Sequence, residues 1–247
     1  MSAGKSLLLV ALSATAVGAQ VPDKFTNLKV LPKDIPKPKL VQMMRGFSFS
    51  VGVRCNHCHA AAKGTAEGAD GPLDFASDDK EAKRTARVMM QMVHAINHDH
   101  LSRLATPPPV AVDCVTCHRG IPQPRPVNAV VAAAIEKKGL PEALKLYRDL
   151  RKEYYGGAQY DFTETPLNQL GEALMAKDKA LEAAAVMELN AELNKPLSGW
   201  AMAVMAMAHQ GAGETDKAIA DFRRALELNP NNKWAQAELD KLLQKKK

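Results

Sequence analysis

The sequence predicts a mainly α-helical protein in two parts: a compact domain organised around two short cysteine motifs, followed by an α-solenoid. Every cysteine of the chain lies in one of two Cys-x-x-Cys-His motifs, Cys55–His59 and Cys114–His118. The proline-rich segment from Gly120 to Pro126 cannot be helical and separates the two parts. After it, helical segments alternate with short breaks to the end of the chain. We therefore predict that the first domain spans 20–127 and the second 128–247.

The N-terminal residues predict a secretory signal peptide over 1–19. Lys5 is followed by a short apolar run, and Val17-Gly-Ala19 before Gln20 has the small-x-small pattern of a cleavage site. The run is shorter than the roughly 20 residues that a membrane-spanning helix needs. The mature chain is therefore predicted to be periplasmic. The alternative is that the segment is retained as an anchor, which would hold the protein at the outer face of the inner membrane.

The spacing of the two motifs is the attachment signature of c-type haem. Two thiols about one helical turn apart can add to the vinyl groups of a porphyrin, and the histidine that follows supplies an axial nitrogen to the iron. A structural zinc site would not require histidine at both fifth positions. A thioredoxin-like redox pair would lie in a βαβ context, which these segments lack. A disulfide framework is the remaining alternative.

The sequence thus predicts two covalently bound haem c groups, whose iron is bound by protein ligands. The residues assigned to them are Cys55, Cys58, Cys114 and Cys117 for covalent attachment, and His59 and His118 as axial iron ligands. Bacterial c-type haem is attached outside the cytoplasm, so the motifs and the predicted signal peptide agree on the compartment.

Each iron needs a ligand on the face opposite its histidine, usually a methionine sulfur or a second imidazole. Upstream of the first motif, one apolar face of a helix is formed by Leu40, Met44, Phe47 and Val51. Such a helix, entered after Pro38 and ending near Gly52, can fold back over the first haem with Met44 toward the iron. The alternatives are that Met44 is core packing or that Met43 is the ligand.

The second haem has more candidate ligands. A strong helical pattern runs from Thr85 to Asn97 and carries Met89, Met92 and His94. Spacing alone does not separate these three candidates.

Several segments, taken together, resemble the cytochrome subunit of photosynthetic reaction centres. In chain order they are Asn27–Pro36, Met43–Phe47, Val51–His59, Ala86–Asn97 and Cys114–Pro122. The resemblance implies that each haem is carried by a helix, a turn and the Cys-x-x-Cys-His segment, with methionine as the usual sixth ligand. It implies that the ligand of the second haem is Met89 and supports Met44 for the first.

The chain also departs from that family. The purple-bacterial subunit carries four haems in two pairs, whereas this chain has one pair of motifs. One haem of that subunit takes a histidine from the other pair, and the comparable position here, near Arg103, is not histidine. Both irons are therefore expected to have one Met and one His ligand, which leaves neither iron open. A role in photosynthesis, through re-reduction of a photo-oxidised donor, rests on the resemblance alone.

Composition limits the partners and the core. The formal net charge of +6 is spread along the chain apart from Lys245–Lys247, and no aromatic-basic pattern predicts nucleic-acid binding. Only 5% of the residues are aromatic, so the first domain has few large side chains with which to form a core. Two buried porphyrins would supply the missing apolar bulk.

The second domain is predicted to be a tetratricopeptide-like α-solenoid. The pairs Ala143-Leu144, Ala180-Leu181 and Ala218-Ile219 stand at near-equal intervals. The segment Gly213–Asn232 resembles the second half of a tetratricopeptide repeat, and the tail from Lys233 has the pattern of a closing helix. Such repeats present a concave surface to a protein or peptide. The alternative is a helical extension that covers the haem domain.

The methionine-rich helix Trp200–Met207 is expected to be repeat core and not a metal site, because no Cys or His cluster accompanies it. His209 follows it as a lone histidine on a helix.

The predicted function is electron transfer between a redox protein donor and acceptor, without enzymatic activity. A membrane-bound reaction centre and a respiratory complex are the candidate partners. Two alternatives remain at this stage. A dihaem enzyme, such as a peroxidase, would need an open iron face and nearby acid-base groups. A haem-based redox or gas sensor would use the repeats as its scaffold.

Overall fold

The computed structural model describes residues 21–66, 71–104 and 110–246. They separate into two compact units, the first ending at Gln123 and the second beginning at Pro124. The fold is mainly α-helical, as the sequence predicts. The predicted signal segment 1–19 and the prolines at 107–109 lie outside the described residues. Within the described ranges, no helix combines the length and the apolar character needed to cross a membrane.

The first unit begins with helix α1, Lys37–Val51, which matches the helix predicted from the apolar face around Met44. Proline suits the first turn of this helix, because it has no backbone N–H that would be left unpaired there. Gly52 ends the helix in the left-handed region, at φ 71°. The remaining elements are α2 (Cys55–Cys58), β1 (Ala60–Ala61), β2 (Leu73–Asp74), α3 (Glu81–Ala95), a π-helical turn (Ile96–His100), a 3₁₀ turn (Leu101–Arg103) and α4 (Cys114–His118). The two short strands pair antiparallel, with Ala60 opposite Asp74.

The helices of the first unit pack crosswise. Helix α1 contacts α4, which carries the second motif, and α3 contacts α2, which carries the first. The end of α1 is fixed to the chain after the second motif, because the Gly120 N–H donates to the Ser50 carbonyl over 2.8 Å. A Cβ at Gly52 would lie 1.9 Å from the Gly120 carbonyl oxygen, so only glycine permits this approach. Each motif thus lies against the helix that precedes the other one.

Few apolar side chains are buried in the first unit. In its described part they are Ile35, Leu40 and Ile121. Helix α3 buries none of its side chains. A unit of this size without disulfides or a prosthetic group normally needs a larger apolar core to fold. This shortage agrees with the predicted filling of the domain by two porphyrins.

The second unit consists of three helix pairs and a closing helix. The helices are α5 (Val127–Lys138), α6 (Leu140–Tyr154), α7 (Glu164–Met175), α8 (Ala180–Leu193), α9 (Gly199–Gly211), α10 (Thr215–Leu228) and α11 (Lys233–Lys245). The two helices of each pair pack against each other. In addition, α5 contacts α7, and α7 contacts α9. One apolar cluster runs through the first two pairs into α9, and a second joins α9, α10 and α11. This is the stacking expected of a tetratricopeptide-like solenoid.

The repeat register differs from the predicted one in the middle pair. Ala143, Ala183 and Ala218 each lie in the second helix of a pair and have no exposed surface. Ala180, which the near-equal intervals select, is instead the first residue of α8, and the neighbouring Leu181 is exposed. The interhelical loops differ in length, so equal spacing along the chain does not identify equivalent positions.

Candidate haem sites

The first motif forms a single helical turn directly after α1. Helix α2 spans Cys55–Cys58, and the His59 N–H donates to the Cys55 carbonyl over 3.0 Å. Because one turn separates the two cysteines, both thiols can reach one edge of a planar group. The turn at Gly52 reverses the chain, so α1 can lie over the face opposite the motif.

A cavity of about 380 Å³ lies beside the first motif. Its lining includes all four residues predicted for the first haem, which are Met44, Cys55, Cys58 and His59. Met43 is not among the described lining residues, so the position favours Met44 between the two candidates. Most other lining side chains are apolar, among them Phe25, Val41, Phe47 and Phe75. The cavity therefore offers two thiols, an imidazole and a thioether to one largely apolar occupant.

The imidazole of His59 is held neutral. Burial lowers its pKa to about 4, with the nearby cations Lys83 and Arg87 acting in the same direction. Its ring lies edge-on to Phe75, with centroids 4.8 Å apart, and its buried Nδ1 has no hydrogen-bond partner among the residues that the structure describes. A neutral imidazole keeps a nitrogen lone pair at physiological pH, which an axial iron ligand requires.

The wall of this cavity contains a charged cluster. Asp78 accepts an ion-pair contact from Lys29 at 2.7 Å, from Arg87 at 2.8 Å and from Lys83 at 3.4 Å. The amide of Asn27 donates to the same carboxylate over 2.8 Å. The hydrogen bond from Lys29 is the largest of the contacts that hold the pKa of Asp78 far below its usual range. No local sequence pattern marks this cluster, because Asn27 and Lys29 lie 51 and 49 residues from Asp78 in the chain.

Helix α3 turns one face to the first cavity. Lys83, Ala86, Arg87 and Met90 of this helix line the cavity, although α3 precedes the second motif along the chain. Met89, the predicted ligand of the second haem, is not among the described residues that line it. Its side chain is instead 39% exposed. Met89 therefore remains available to a group on another side of α3.

The second motif is held in place by hydrogen bonds at its start. The Asp113 carboxylate accepts from the Thr116 N–H at 3.0 Å, and Thr116 accepts in return from the Asp113 N–H at 3.0 Å. This capping box starts helix α4. The Asn97 side chain pairs with both the N–H and the carbonyl of Val112, at 2.8 and 2.7 Å. The end of α3 is thereby fixed to the lead-in of the motif.

His118 presents one ring nitrogen for a ligand. Its Nδ1 lies 3.0 Å from the carbonyl oxygen of Ile121, which can only accept, so Nδ1 carries the proton. Nε2 is then the unprotonated nitrogen. A histidine that binds a metal commonly has its other N–H fixed in this way.

Exposed apolar side chains lie in the segments around the second motif. In the described part of the first unit the exposed large apolar residues include Val88, Met89, Met92, Leu104, Val110 and Val115. Exposed apolar side chains in this number mark a surface that another group covers. A porphyrin bound through Cys114 and Cys117 would cover such a surface. The thiols, imidazoles and thioethers of the predicted residues, the apolar surroundings and the small apolar core of the first unit all fit two covalent haems.

In the second unit, His209 is not isolated. It is buried in α9, and its Nδ1 lies 2.6 Å from the Asp221 carboxylate of α10. Its Nε2 lies 3.4 Å from the Glu188 carboxylate of α8. The ring thereby joins three helices in an ion-pair network. The buried methionines of α9 belong to the apolar core, as predicted.

The surface of the repeats carries an exposed tryptophan. Trp200 of α9 is 43% exposed, and its indole N–H donates to the Glu172 carboxylate of α7 over 2.9 Å. Asn128 of α5 donates to Gln169 of α7 over 3.1 Å. The first helices of the pairs are thus joined by side-chain hydrogen bonds at their surface.

Comparison with known proteins agrees with this arrangement. The family model for the photosynthetic reaction centre cytochrome C subunit matches residues 13–185. The tetratricopeptide repeat model matches residues 200–232. The photosynthetic reaction center cytochrome c subunit of Thermochromatium tepidum is 30% identical over 115 residues, which are 46% of this chain and 25% of that protein. The chain therefore matches about a quarter of that relative's length.

Among solved structures, the first TPR domain of the human RPAP3 protein is 22% identical, with a TM-score of 0.33. The match covers 48% of this chain and 87% of that one. The second TPR domain of the same human protein, in complex with an HSP70 peptide, is 21% identical, with a TM-score of 0.33. That match covers 47% of this chain and 91% of the other.

Proposed function

Since the chain belongs to the photosynthetic reaction centre cytochrome c subunit family, a family of electron-transfer proteins with covalent haem c, we propose that it carries electrons between redox proteins through two attached haems. The observation that carries this proposal is the cavity in which Met44, Cys55, Cys58 and His59 meet. When bound, each haem supplies an iron that gains and loses one electron.

The protein's own residues hold and close the two sites. Cys55 and Cys58 would hold the first porphyrin through thioether bonds, and Cys114 and Cys117 would hold the second. His59 and His118 would each give a ring nitrogen to an iron, and Met44 and Met89 would each give a thioether sulfur. An iron with both of these ligands would have no position left for a substrate, which favours a carrier over a dihaem peroxidase or a gas sensor.

The apolar lining serves the same purpose. Apolar side chains exclude water from the first site, so the surroundings rearrange little when the charge of the site changes. Met44 lies in this largely apolar wall. Thioether ligation raises the potential relative to two histidines.

We further propose that the carrier works in the periplasm after removal of residues 1–19, next to the outer face of the inner membrane. Its donor and acceptor are redox proteins, of which a membrane-bound reaction centre or a respiratory complex is one. The repeats dock a protein or peptide partner. The exposed Trp200 supports this role, because tryptophan is a common anchor at protein interfaces.

Mass spectrometry of the protein, expressed together with the haem-attachment machinery, tests the proposal. We expect a chain that starts near Gln20 and carries two haems after denaturation, because thioether bonds survive unfolding. Four free thiols in that chain would contradict it.

Optical spectra of the reduced protein, with and without carbon monoxide, separate the carrier from the alternatives. Low-spin spectra that the gas does not change support electron transfer. A high-spin iron that binds the gas would instead favour a peroxidase-like enzyme or a sensor.

A further inference from the structure

The first cavity has walls of one charge sign. Among the described residues that line it, six are cationic and none is acidic. The cations are Lys24, Lys29, Arg45, Arg54, Lys83 and Arg87. A largely apolar cavity whose charged lining residues are all cationic suits an apolar occupant that carries acidic groups.

Two of these cations are mostly removed from solvent. The side chain of Lys83 is 11% exposed and that of Arg87 is 15% exposed. Both form ion pairs with Asp78, and Lys29 forms a third, so three cations share one carboxylate. Asp74 acts on Lys83 at longer range, but its carboxylate accepts the Ala76 and Ser77 N–H groups.

The two buried cations differ in the donors that they have left. The Lys83 ammonium donates to the carbonyls of Phe75 and Ser77, at 2.8 and 2.6 Å, in addition to its contact with Asp78. Its three N–H directions are therefore used within the wall. The Arg87 guanidinium uses Nη1 for Asp78 and Nη2 for the Asn27 carbonyl, at 2.8 and 3.1 Å. A guanidinium has five N–H donors, so Arg87 keeps donors for a further acceptor.

A cation out of water needs an anionic partner, and here Lys29, Lys83 and Arg87 share the single carboxylate of Asp78. We propose that Arg87 is a carboxylate-binding residue, and that the carboxylate it binds is a propionate of the haem attached at Cys55 and Cys58. This inference rests on the proposed function, because it requires a haem in the first cavity. Asp78 and the Asn27 carbonyl orient the guanidinium, and Lys83 adds positive charge behind it.

The geometry links the two halves of the haem unit. Arg87 lies in α3, two residues before Met89, whereas the haem that it would hold is attached to α2. One helix would therefore bind the carboxylate of the first haem with Arg87 and face the second haem with Met89. Bidentate recognition of carboxylates is the chemistry for which a guanidinium is suited.

The test compares Arg87→Gln, Arg87→Lys and a control, Lys39→Gln, in the full-length protein. Lys39 is an exposed cation of α1 and is not among the described residues that line the cavity. Three quantities are measured for each variant: the number of haems by mass, the midpoint potentials by redox titration, and the propionate bending modes by resonance Raman spectroscopy.

For Arg87→Gln we expect two attached haems. The redox equilibrium of one haem should shift about tenfold toward the oxidised form, which lowers its midpoint potential by about 59 mV for one electron. Its propionate mode should also shift. Arg87→Lys should restore most of the midpoint potential, because lysine keeps the positive charge. It should keep an altered propionate mode, because lysine lacks the paired N–H donors of the guanidinium. Lys39→Gln should leave potentials and modes unchanged.

The outcomes separate this inference from the proposed function. A wild-type protein without haem would defeat the proposed function itself. Two haems in Arg87→Gln, with wild-type potentials and propionate modes, would overturn only the role of Arg87. If Arg87→Gln does not accumulate, Arg87→Lys decides: an altered propionate mode supports the inference, and a wild-type mode overturns it.

Discussion

The two motif histidines differ in what holds their rings. His118 donates Nδ1–H to the Ile121 carbonyl, whereas the buried Nδ1 of His59 has no partner. A hydrogen bond at the far nitrogen makes an imidazole a stronger electron donor to a metal. Stronger donation favours the oxidised form of the iron. We therefore expect the haem at the second motif to have the lower potential of the two.

Replacing Met44 with alanine tests both the ligand and this order of potentials. We expect loss of one Met–iron charge-transfer band at the red end of the oxidised spectrum, together with a fall in the higher of the two midpoints or a high-spin iron. Met43→Ala is the matched control and should leave both haems unchanged. A change in the lower midpoint alone would show that the order is reversed.

Replacing Met89 with alanine should remove the corresponding band of the other haem. The expected physical cause is loss of a thioether that raises the potential relative to other ligands. Optical spectra of Met89→Ala and His94→Ala, recorded side by side, decide the assignment. If Met89→Ala leaves both haems intact and His94→Ala disturbs one, then His94 is the ligand.

His209 should make the stability of the repeats depend on pH. Its hydrogen bond to Asp221 raises its pKa above 6.5, with help from Glu188 and against burial and Lys217. A raised folded pKa stabilises the fold below pH 6.5, and this stabilisation is lost as pH rises through the folded pKa. Urea unfolding followed by tryptophan fluorescence should thus show a lower free energy of unfolding at pH 8.5 than at pH 5.5.

The variant His209→Gln is the control for that measurement, since glutamine fills a similar space without titrating in this range. It should remove most of the difference between the two pH values. An equal pH dependence in both proteins would assign the effect to other groups.

At the scale of the element, several features were predictable because they depend on local pattern. Helix α1 follows from the apolar spacing around Met44 and from the proline and glycine at its ends. Helix α3 follows from the helical pattern of Thr85–Asn97, and α10 follows from the resemblance of Gly213–Asn232 to half of a tetratricopeptide repeat. The crosswise contacts of α1 with α4 and of α2 with α3 were not predictable, because spacing along one helix does not specify its neighbour.

The candidate site shows the same division. The motifs specify the thiols and histidines, because haem attachment fixes residue types within five positions. The cluster around Asp78 joins residues from three segments, including Asn27 and Arg87, and no local pattern marks it. The partners of His209 likewise lie 12 and 21 residues away.

Gly46 within α1 and Gly52 at its end give a matched test of how the end of α1 packs against the chain after the second motif. Gly52→Ala should lower the stability of the haem-loaded protein by roughly 2–4 kcal/mol, because φ is 71° and the new Cβ meets the Gly120 oxygen. Gly46→Ala should raise it by roughly 0.5–1 kcal/mol, because Gly46 lies within the helix and has open space around it. Thermal unfolding followed at the haem bands measures both. Equal effects would show that the Gly52–Gly120 approach is not formed.

At the scale of the whole molecule, the two units reach stability differently. The described part of the first unit buries only Ile35, Leu40 and Ile121 among its apolar residues, while the second has two continuous apolar clusters. The first is therefore expected to depend on its haems for folding, and the second on its helix stacking.

A chain that ends at Val127 tests whether the predicted domains are independent. We expect it to attach two haems and to keep the reduced spectrum of the full-length protein, because all eight assigned haem residues precede that position. It should lose any partner that the repeats hold. Mass spectrometry and optical spectroscopy are the measurements. Loss of one haem, or a large change in one midpoint, would show that the repeats complete a haem site.

The crosswise packing of α3 on α2 also has a consequence for biogenesis. In the export proposed above, which begins at the N-terminus, Cys55 and Cys58 would reach the periplasm before Lys83 and Arg87, which line the first cavity. The first thiol pair would then exist for a time without one wall of its cavity. Docking of α3 would restrict the approach of a porphyrin from that side. We therefore expect attachment at the first motif to compete in time with the folding of the segment that follows it.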